Sequence, residues 1–305
     1  PSGRRACGPA HAGRPSPVAS TVMAEVTGFW LQRDFVGVRG PDAADWLNGQ
    51  LSQDLAAVPV GGAALSFLLQ PQGKVDALLR VQRRTDDEFM LDTDGGFGSA
   101  VEARLLRFKL RVKADVEAAA WKCLALRGVG AAEAAPEGID ATWLGWPGAD
   151  LVGPEPGWPA GVPEGDGAAY ELARIEAGVP VMGAEITGKT IPAELGPWVI
   201  ERAVSFTKGC YTGQELVARI ESRGGHVPRR LRRLTVDEGT LEPGASVALG
   251  EKTVGSVTSA AARPDGGAVA LAFVGRDVEP STIVTVTGAD QVSQEATVSS
   301  IEDSP

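Results

Sequence analysis

Residues 206–225 read FTKGCYTGQELVARIESRGG, and the fold of the whole chain is understood outward from them. A cysteine sits beside a glycine, a lysine stands two residues upstream, and a helix-start signal follows at once. Thr212-Gly213-Gln214-Glu215 has the form of a capping box: the Thr212 hydroxyl accepts from the Glu215 N–H, and the Glu215 carboxylate reaches back to the Thr212 N–H. Leu216, Val217 and Ile220 give the following helix an apolar side. Cys210 and Tyr211 are therefore expected at a helix mouth, where free N–H groups favour negative charge. A Lys208 ammonium nearby would ease formation of the thiolate.

The surrounding chain is long enough, at 305 residues, for two or more domains. Its apolar share of 43% and charged share of 22% are those of a globular protein. The 39 glycines and 21 prolines are spread along the chain, which predicts short elements and many turns rather than long bundles. A net charge of −10 argues against general adhesion to nucleic acid or anionic membrane. No apolar run approaches the roughly 20 residues a spanning helix needs, and no secretory signal pattern is present. Three cysteines, Cys7, Cys123 and Cys210, contain no C-x-x-C pair, so a disulfide framework is not expected and a reducing, cytoplasmic setting fits. Two histidines, His11 and His226, are too few and too separated for zinc, and no metal site is assigned.

Along the chain, residues 1–22 lack any hydrophobic period and read as a disordered tail, with Met23 as a natural start and a transit peptide as the rival reading. Residues 23–225 are expected to form an α+β region of two interleaved subdomains. Within it, 35–38 is a short strand, and Leu47, Leu51 and Leu55 mark an amphipathic helix broken near Gly49. Strands at 65–69, 75–82 and 88–91 are joined by turns at 70–73 and 86–87. A helix is expected over 98–110, with Val101, Leu105, Leu106 and Phe108 buried. Strands follow at 113–116 and 123–126, then a loop-rich excursion over 145–167 and a helix over 170–177. After Gly224-Gly225, β-prone segments at 231–236, 246–249, 253–260, 268–274 and 282–286 predict a small antiparallel barrel over 226–298, with a tail at 299–305.

For Cys210 the bland alternative is a small buried hydrophobe. A Cys-His arrangement has only His226 to draw on, so the open readings are a mixed disulfide, a redox sensor or a transient metal contact. Residues 183–190, GAEITGKT, match the loose phosphate-loop formula, yet Val179-Pro180 before and Ile191-Pro192 after leave no strand and no helix to frame it. Nucleotide hydrolysis is not expected. Arg104, Arg107, Lys109, Arg111 and Lys113 concentrate positive charge, read either as a solvated helix face or as an anion-facing lip.

The stretch from Lys208 to Glu215, continuing through Val217-Ala218-Arg219 to Arg223-Gly224, resembles the signature of the YgfZ-type folate-binding proteins, a family related in fold to the aminomethyltransferase, or T-protein, of the glycine cleavage system. Gly40-Pro41-Asp42-Ala43 with Leu47 to Asp54, Leu68 to Val75, Arg174 to Pro180 and Gly255 to Ser259 resemble further family segments in the same order. The resemblance implies a three-part cloverleaf around a central folate channel, with a carboxyl-terminal antiparallel β-barrel. It implies a tetrahydrofolate-binding accessory protein that supports assembly, repair or maintenance of iron–sulfur enzymes, including one that modifies transfer RNA. Its partners would be folate and iron–sulfur client or cluster-assembly proteins, without stable direct nucleic-acid or membrane binding.

By this resemblance Cys210 is the functional thiol and Lys208 its electrostatic neighbour. Glu176 is the pterin-contacting carboxylate, and Tyr211, Gln214, Arg219 and Lys74 complete the cofactor-binding set. The alternative is a folate-dependent one-carbon transferase of the aminomethyl type. Against it, the first aspartate of the T-protein pair falls on Ala77, which can neither accept a proton nor carry charge, while Asp76 points to the other face of a strand.

Overall fold

A computed structural model describes residues 25–302. The expected tail over 1–22, with Cys7, His11 and the start at Met23, lies outside the described residues. The chain opens with β1 (Thr27–Leu31), whose partners come later in the sequence. It then builds a first lobe from β2 (Arg33–Arg39), α1 (Ala43–Gln50), β3 (Ala63–Leu69), β4 (Val75–Arg83), β5 (Glu88–Asp94), α2 (Gly98–Arg107) and β6 (Asp115–Ala119). The sheet order is β3-β4-β5-β2-β6, antiparallel throughout.

The two-residue repeat of β4 sends Val75, Ala77, Leu79 and Val81 into the main core. Leu78, Arg80 and Gln82 take the other face. Leu47, Leu51 and Leu55 are all buried as their spacing suggests. Only Leu47 lies inside α1, because the chain turns extended at Leu51 and bridges to Leu68. Helix α2 is shorter than expected, ending at Arg107. Leu106 and Phe108, expected inside, are exposed at 47% and 37%, since the helix buries only the Val101 and Leu105 side.

The second lobe is a four-stranded sheet in the order β1-β7-β9-β8, made with β7 (Lys122–Arg127), β8 (Ile139–Asp140) and β9 (Gly148–Gly153), and a one-turn α3 (Ala131–Ala134) packs on it. Neither β1 nor β9 was legible beforehand. The stretch read as a surface excursion contains β9, which pairs with β7 along its whole length. Glycines at both ends and an aspartate in the middle hide its strand character.

Helices α4 (Gly167–Glu176), α5 (Pro197–Ala203) and α6 (Gln214–Ser222) then lead to the third lobe. There β10 (Arg229–Val236), β11 (Ser246–Leu249), β12 (Lys252–Ala262), β13 (Ala268–Gly275), β14 (Ile283–Thr287) and β15 (Ser293–Ser299) close into a barrel, in the order β10-β13-β12-β11-β14-β15. Closure leaves no unpaired strand edge. Leu234, Val247, Val257, Ala270 and Val284 are among the residues filling its interior.

The outside of the barrel supports α4. Arg174 on that helix pairs with Glu171 and Glu185, and its Nη2 donates to Ser259 Oγ on β12 at 2.8 Å. Ser259 Oγ in turn donates to Glu185 Oε1 at 2.6 Å. A fully buried Glu185 is tolerable only because these donors, with the Val181 N–H, satisfy it. Residues 183–190 form a tight turn in which Thr190 Oγ1 donates to the Glu185 carbonyl, and a short 3-10 helix over Pro192–Leu195, not an α-helix opening on the turn, comes next. The anticipated tail at 299 is partly absent, for Ser299 belongs to β15 and Ile301 is buried in the main core.

Candidate functional site

A cavity of about 370 Å³ opens between the first and second lobes, with α4, the 179–181 segment and Arg202 of α5 completing its wall. Its apolar surface comes from residues such as Leu31, Leu65, Leu78, Trp143, Trp146 and Tyr170. Trp143 stacks on Trp198 with ring centroids 4.3 Å apart, and its Nε1 is buried with no acceptor among the described residues.

Most of the charge on the wall belongs to one connected ion network that the alternation of strands dictates. Arg80 on β4 stands opposite Asp92 on β5, and Arg33 on β2 stands opposite Asp94. Arg80 Nε lies 2.9 Å from Asp92 Oδ2, while Arg33 contacts Asp92 at 2.5 Å and Asp94 at 2.9 Å. The network crosses between lobes at Asp150 of β9, which is 2.7 Å from Arg80 Nη1 and 2.6 Å from Arg127 Nη1. Asp94 also accepts from the Met182 N–H at 2.8 Å. Burial alone would push the Asp150 carboxyl up; Arg127 and Arg80 outweigh it and hold the group well below the usual carboxylate range. Arg33 and Arg80 are held charged in the same way, with burial opposing and the aspartates prevailing. Cys123 lies against this network, sealed at 1% exposure, and burial pushes its thiol up to about 12. A thiol in that state is chemically inert.

These network residues were missed in the sequence, although a signal exists. Arg80, Asp92, Arg127 and Asp150 each stand directly beside apolar residues of their strands, and a buried charge in such a setting is costly unless paired. The cavity falls within the roughly 300–1,000 Å³ range of small-molecule sites. Aromatic walls with a few rigid polar groups suit a flat heteroaromatic ring.

The signature loop is elsewhere. Lys208 Nζ donates to the carbonyls of Asn48, Leu51 and Gln53 at 2.6, 2.9 and 2.8 Å, closing the end of α1. Burial pushes this ammonium down to about 8, with Asp54 pulling the other way, and the three acceptors compensate a charge held there. Tyr211 is buried in the main core, which pushes its hydroxyl up to about 12, and its N–H donates to Gln214 Oε1. The Thr212 N–H donates to the Gly49 carbonyl at 3.1 Å. The expected capping box does not form. Gly213 takes the cap position of α6 with φ +82, and a Cβ there would meet the Gln70 carbonyl and Leu69. Thr212 is thereby turned toward α1 instead of the helix start.

Cys210 is exposed. Its neighbours in the loop each serve to anchor the backbone, whereas the anchoring makes no use of the sulfur. The structure thus gathers Lys208, Tyr211 and Gln214 around Cys210, on the surface formed by the end of α1 and the 70–73 turn. Lys74 lies at the foot of β4 near that turn, and Arg219 is exposed on α6. Glu176 ends α4, where its carbonyl accepts from Arg233 of β10. A helix turns about 100° per residue, which sets Glu176 about 120° round from the cavity-facing Tyr170. None of the seven lines the central cavity, so the expected adjacency of thiol and cavity is not what the fold provides. Arg104, one of the cations expected at an anion-facing lip, is committed to Asp76 at 3.1 Å and stacks on Phe108, beside a separate hollow at α2.

On β4, Ala77 is packed in the core and Leu78 is the residue that meets the cavity. The wall there carries no acid on either position.

The architecture is that of the aminomethyltransferases of the glycine cleavage system: the solved structure of aminomethyltransferase T from Bartonella henselae matches with a TM-score of 0.74, at 22% identity, over 92% of this chain and 87% of that one. Among curated proteins, the tRNA-modifying protein YgfZ of Klebsiella pneumoniae is 30% identical over 292 residues, covering 82% of this chain and 85% of the relative. The chain belongs to the YgfZ family. The mitochondrial iron-sulfur cluster assembly factor IBA57 of Mus musculus is 32% identical over 225 residues, 63% of this chain and 61% of that protein. No family model matches the chain. Among the described residues, no helix is long and apolar enough to cross a membrane.

Proposed function

We propose that the protein binds tetrahydrofolate or a derivative in the central cavity and acts as an accessory factor in the assembly, repair or maintenance of iron–sulfur enzymes, including one that modifies transfer RNA. Membership of the YgfZ family supports this reading, and the mouse relative carries the iron–sulfur role in its name. The observation that carries it is the cavity itself: aromatic, polar at fixed points, sized for a pterin, and faced on β4 by Leu78 in place of an acid. Such a wall binds and orients a ring. It lacks the proton acceptor at Ala77 or Leu78 that aminomethyl transfer would use, which weighs against the transferase alternative.

The cavity residues would do the holding. Trp143, Trp146 and Tyr170 offer flat faces, and the Arg–Asp network fixes donors and acceptors that need no rearrangement when a ligand enters. Cys210 then works on a separate surface, as the thiol that meets a client or cluster-assembly protein, with Lys208 and Gln214 fixing its loop and Glu176, Arg219 and Lys74 outside the pterin contacts. The free thiols Cys123 and Cys210 support a reducing, cytoplasmic setting.

Calorimetric titration with tetrahydrofolate tests the first half; absence of binding would overturn it. For the second half, Cys210→Ser is expected to leave folding and folate affinity intact while lowering the activity of cluster-dependent enzymes in cells. Full activity in that variant would remove the thiol from the function.

A further inference from the structure

Where the ligand's charge goes is decided by ion bookkeeping inside the cavity. Three guanidinium groups, Arg33, Arg80 and Arg127, face three carboxylates, Asp92, Asp94 and Asp150, within hydrogen-bonding distance. The interior is therefore neutral, and each of these cations is already ion-paired with a buried aspartate. A carboxylate brought among them would lose its water without gaining an unpaired charge. The one remaining cation on the described cavity wall is Arg202.

Arg202 differs from the others in setting. Its side chain is 43% exposed, it stacks over the Trp198 ring at 5.2 Å, and its Nη2 lies 3.2 Å from Asp140 Oδ2, whose own side chain is 63% exposed. Asp140, at the end of β8, accepts from the Thr142 N–H, so it cannot follow Arg202 far. The pairing is a solvated one of small worth, easily exchanged for another carboxylate. Aromatic stacking keeps the guanidinium at the rim while leaving its N–H edges open.

We infer that Arg202, backed by Trp198 and tempered by Asp140, is the subsite for the anionic glutamyl tail of a folate whose ring occupies the cavity. This rests on the folate reading above. It moves the tail away from Arg104, Arg107, Lys109, Lys74 and Arg219, none of which reaches the cavity wall. It also gives Asp140 an opposing sign: its carboxylate competes with the ligand's for the same guanidinium.

The test uses the full chain and two ligands, tetrahydrofolate and its tail diamide, in which both glutamyl carboxylates are capped as amides. Arg202→Gln is expected to weaken tetrahydrofolate binding about three- to tenfold and leave the diamide unchanged. Asp140→Asn is expected to tighten tetrahydrofolate about two- to threefold, again without effect on the diamide. Both positions are on the rim, so unchanged melting temperatures should accompany these shifts. Failure of both ligands to bind the unmodified protein would sink the folate reading and the subsite together. Tetrahydrofolate binding that ignores Arg202→Gln, or a loss shared equally by the diamide, would remove the subsite and leave the folate reading standing.

Discussion

The Lys208 ammonium lies 2.6 Å from the Asn48 carbonyl oxygen, bridging 160 residues of chain, and it reaches the Leu51 and Gln53 carbonyls as well. A lysine read in sequence as an electrostatic aid to the thiol is in the fold a clasp between the signature loop and the end of α1. Lys208→Met should leave three carbonyls without their donor and cost about 1–3 kcal/mol of stability. Urea denaturation measures this; an unchanged midpoint would mean that water replaces the clasp at no cost.

The two described cysteines should separate cleanly in reactivity. Cys210 is exposed, while Cys123 is sealed and its thiol is pushed up to about 12. Iodoacetamide at pH 8 followed by peptide mapping is expected to find Cys210 alkylated in the native protein and Cys123 only after unfolding. Equal labelling of both would contradict the packing around β7.

Asp150 makes a pH-dependent contribution whose sign follows from its lowered pKa. Because the folded group ionises more readily than the unfolded one, its stabilisation is complete above about pH 4, the unfolded carboxyl's range, and drains away as the pH falls further. Asp150→Asn should cost about 3–5 kcal/mol at neutral pH, since Arg80 and Arg127 would be left buried without their shared partner. The variant should also lose part of the acid dependence, which thermal melts between pH 2 and 7 would show.

Ser259 offers a gentler probe of how the barrel is joined to α4. Its hydroxyl accepts from Arg174 and donates to Glu185, so Ser259→Ala should destabilise by about 1–2 kcal/mol. Glu185→Ala, which leaves the Ser259 hydroxyl and the Val181 N–H without their acceptor and removes one of the two carboxylates facing Arg174, should cost more. A ranking in the other order would point to Ser259 as the centre of the cluster.

Much of the architecture could be read in advance where side-chain alternation was strong. Strand β4 shows Val75, Ala77, Leu79 and Val81 on one side, and the lone exception to its polar face, Leu78, proves to be the residue that meets the cavity. The barrel strands are legible as short β-prone segments set off by Gly, Pro, Asp and Glu, apart from β15, where Ser293, Gln294 and Glu295 precede the buried Ala296 and Val298. The site was less legible. Cys210 stood out correctly as an exposed sulfur, but the motif around it is conspicuous because it builds a tight loop. The cavity is assembled from single charges on strands distant in sequence, such as Arg80 and Asp150, whose meeting depends on how two sheets face each other. Nothing local to either residue announces it.

Gly178, just past the end of α4, has φ +71, and a Cβ on it would strike Ile301. That isoleucine, arriving only after the last barrel strand, is buried in the main core, which residues of the first lobe, the α4 to α6 stretch and the barrel share. On a ribosome, then, the turn after α4 emerges well before the residue that packs on it. The shared core is finished only once nearly the whole described chain has been synthesised, which ties its maturation to completion of the barrel.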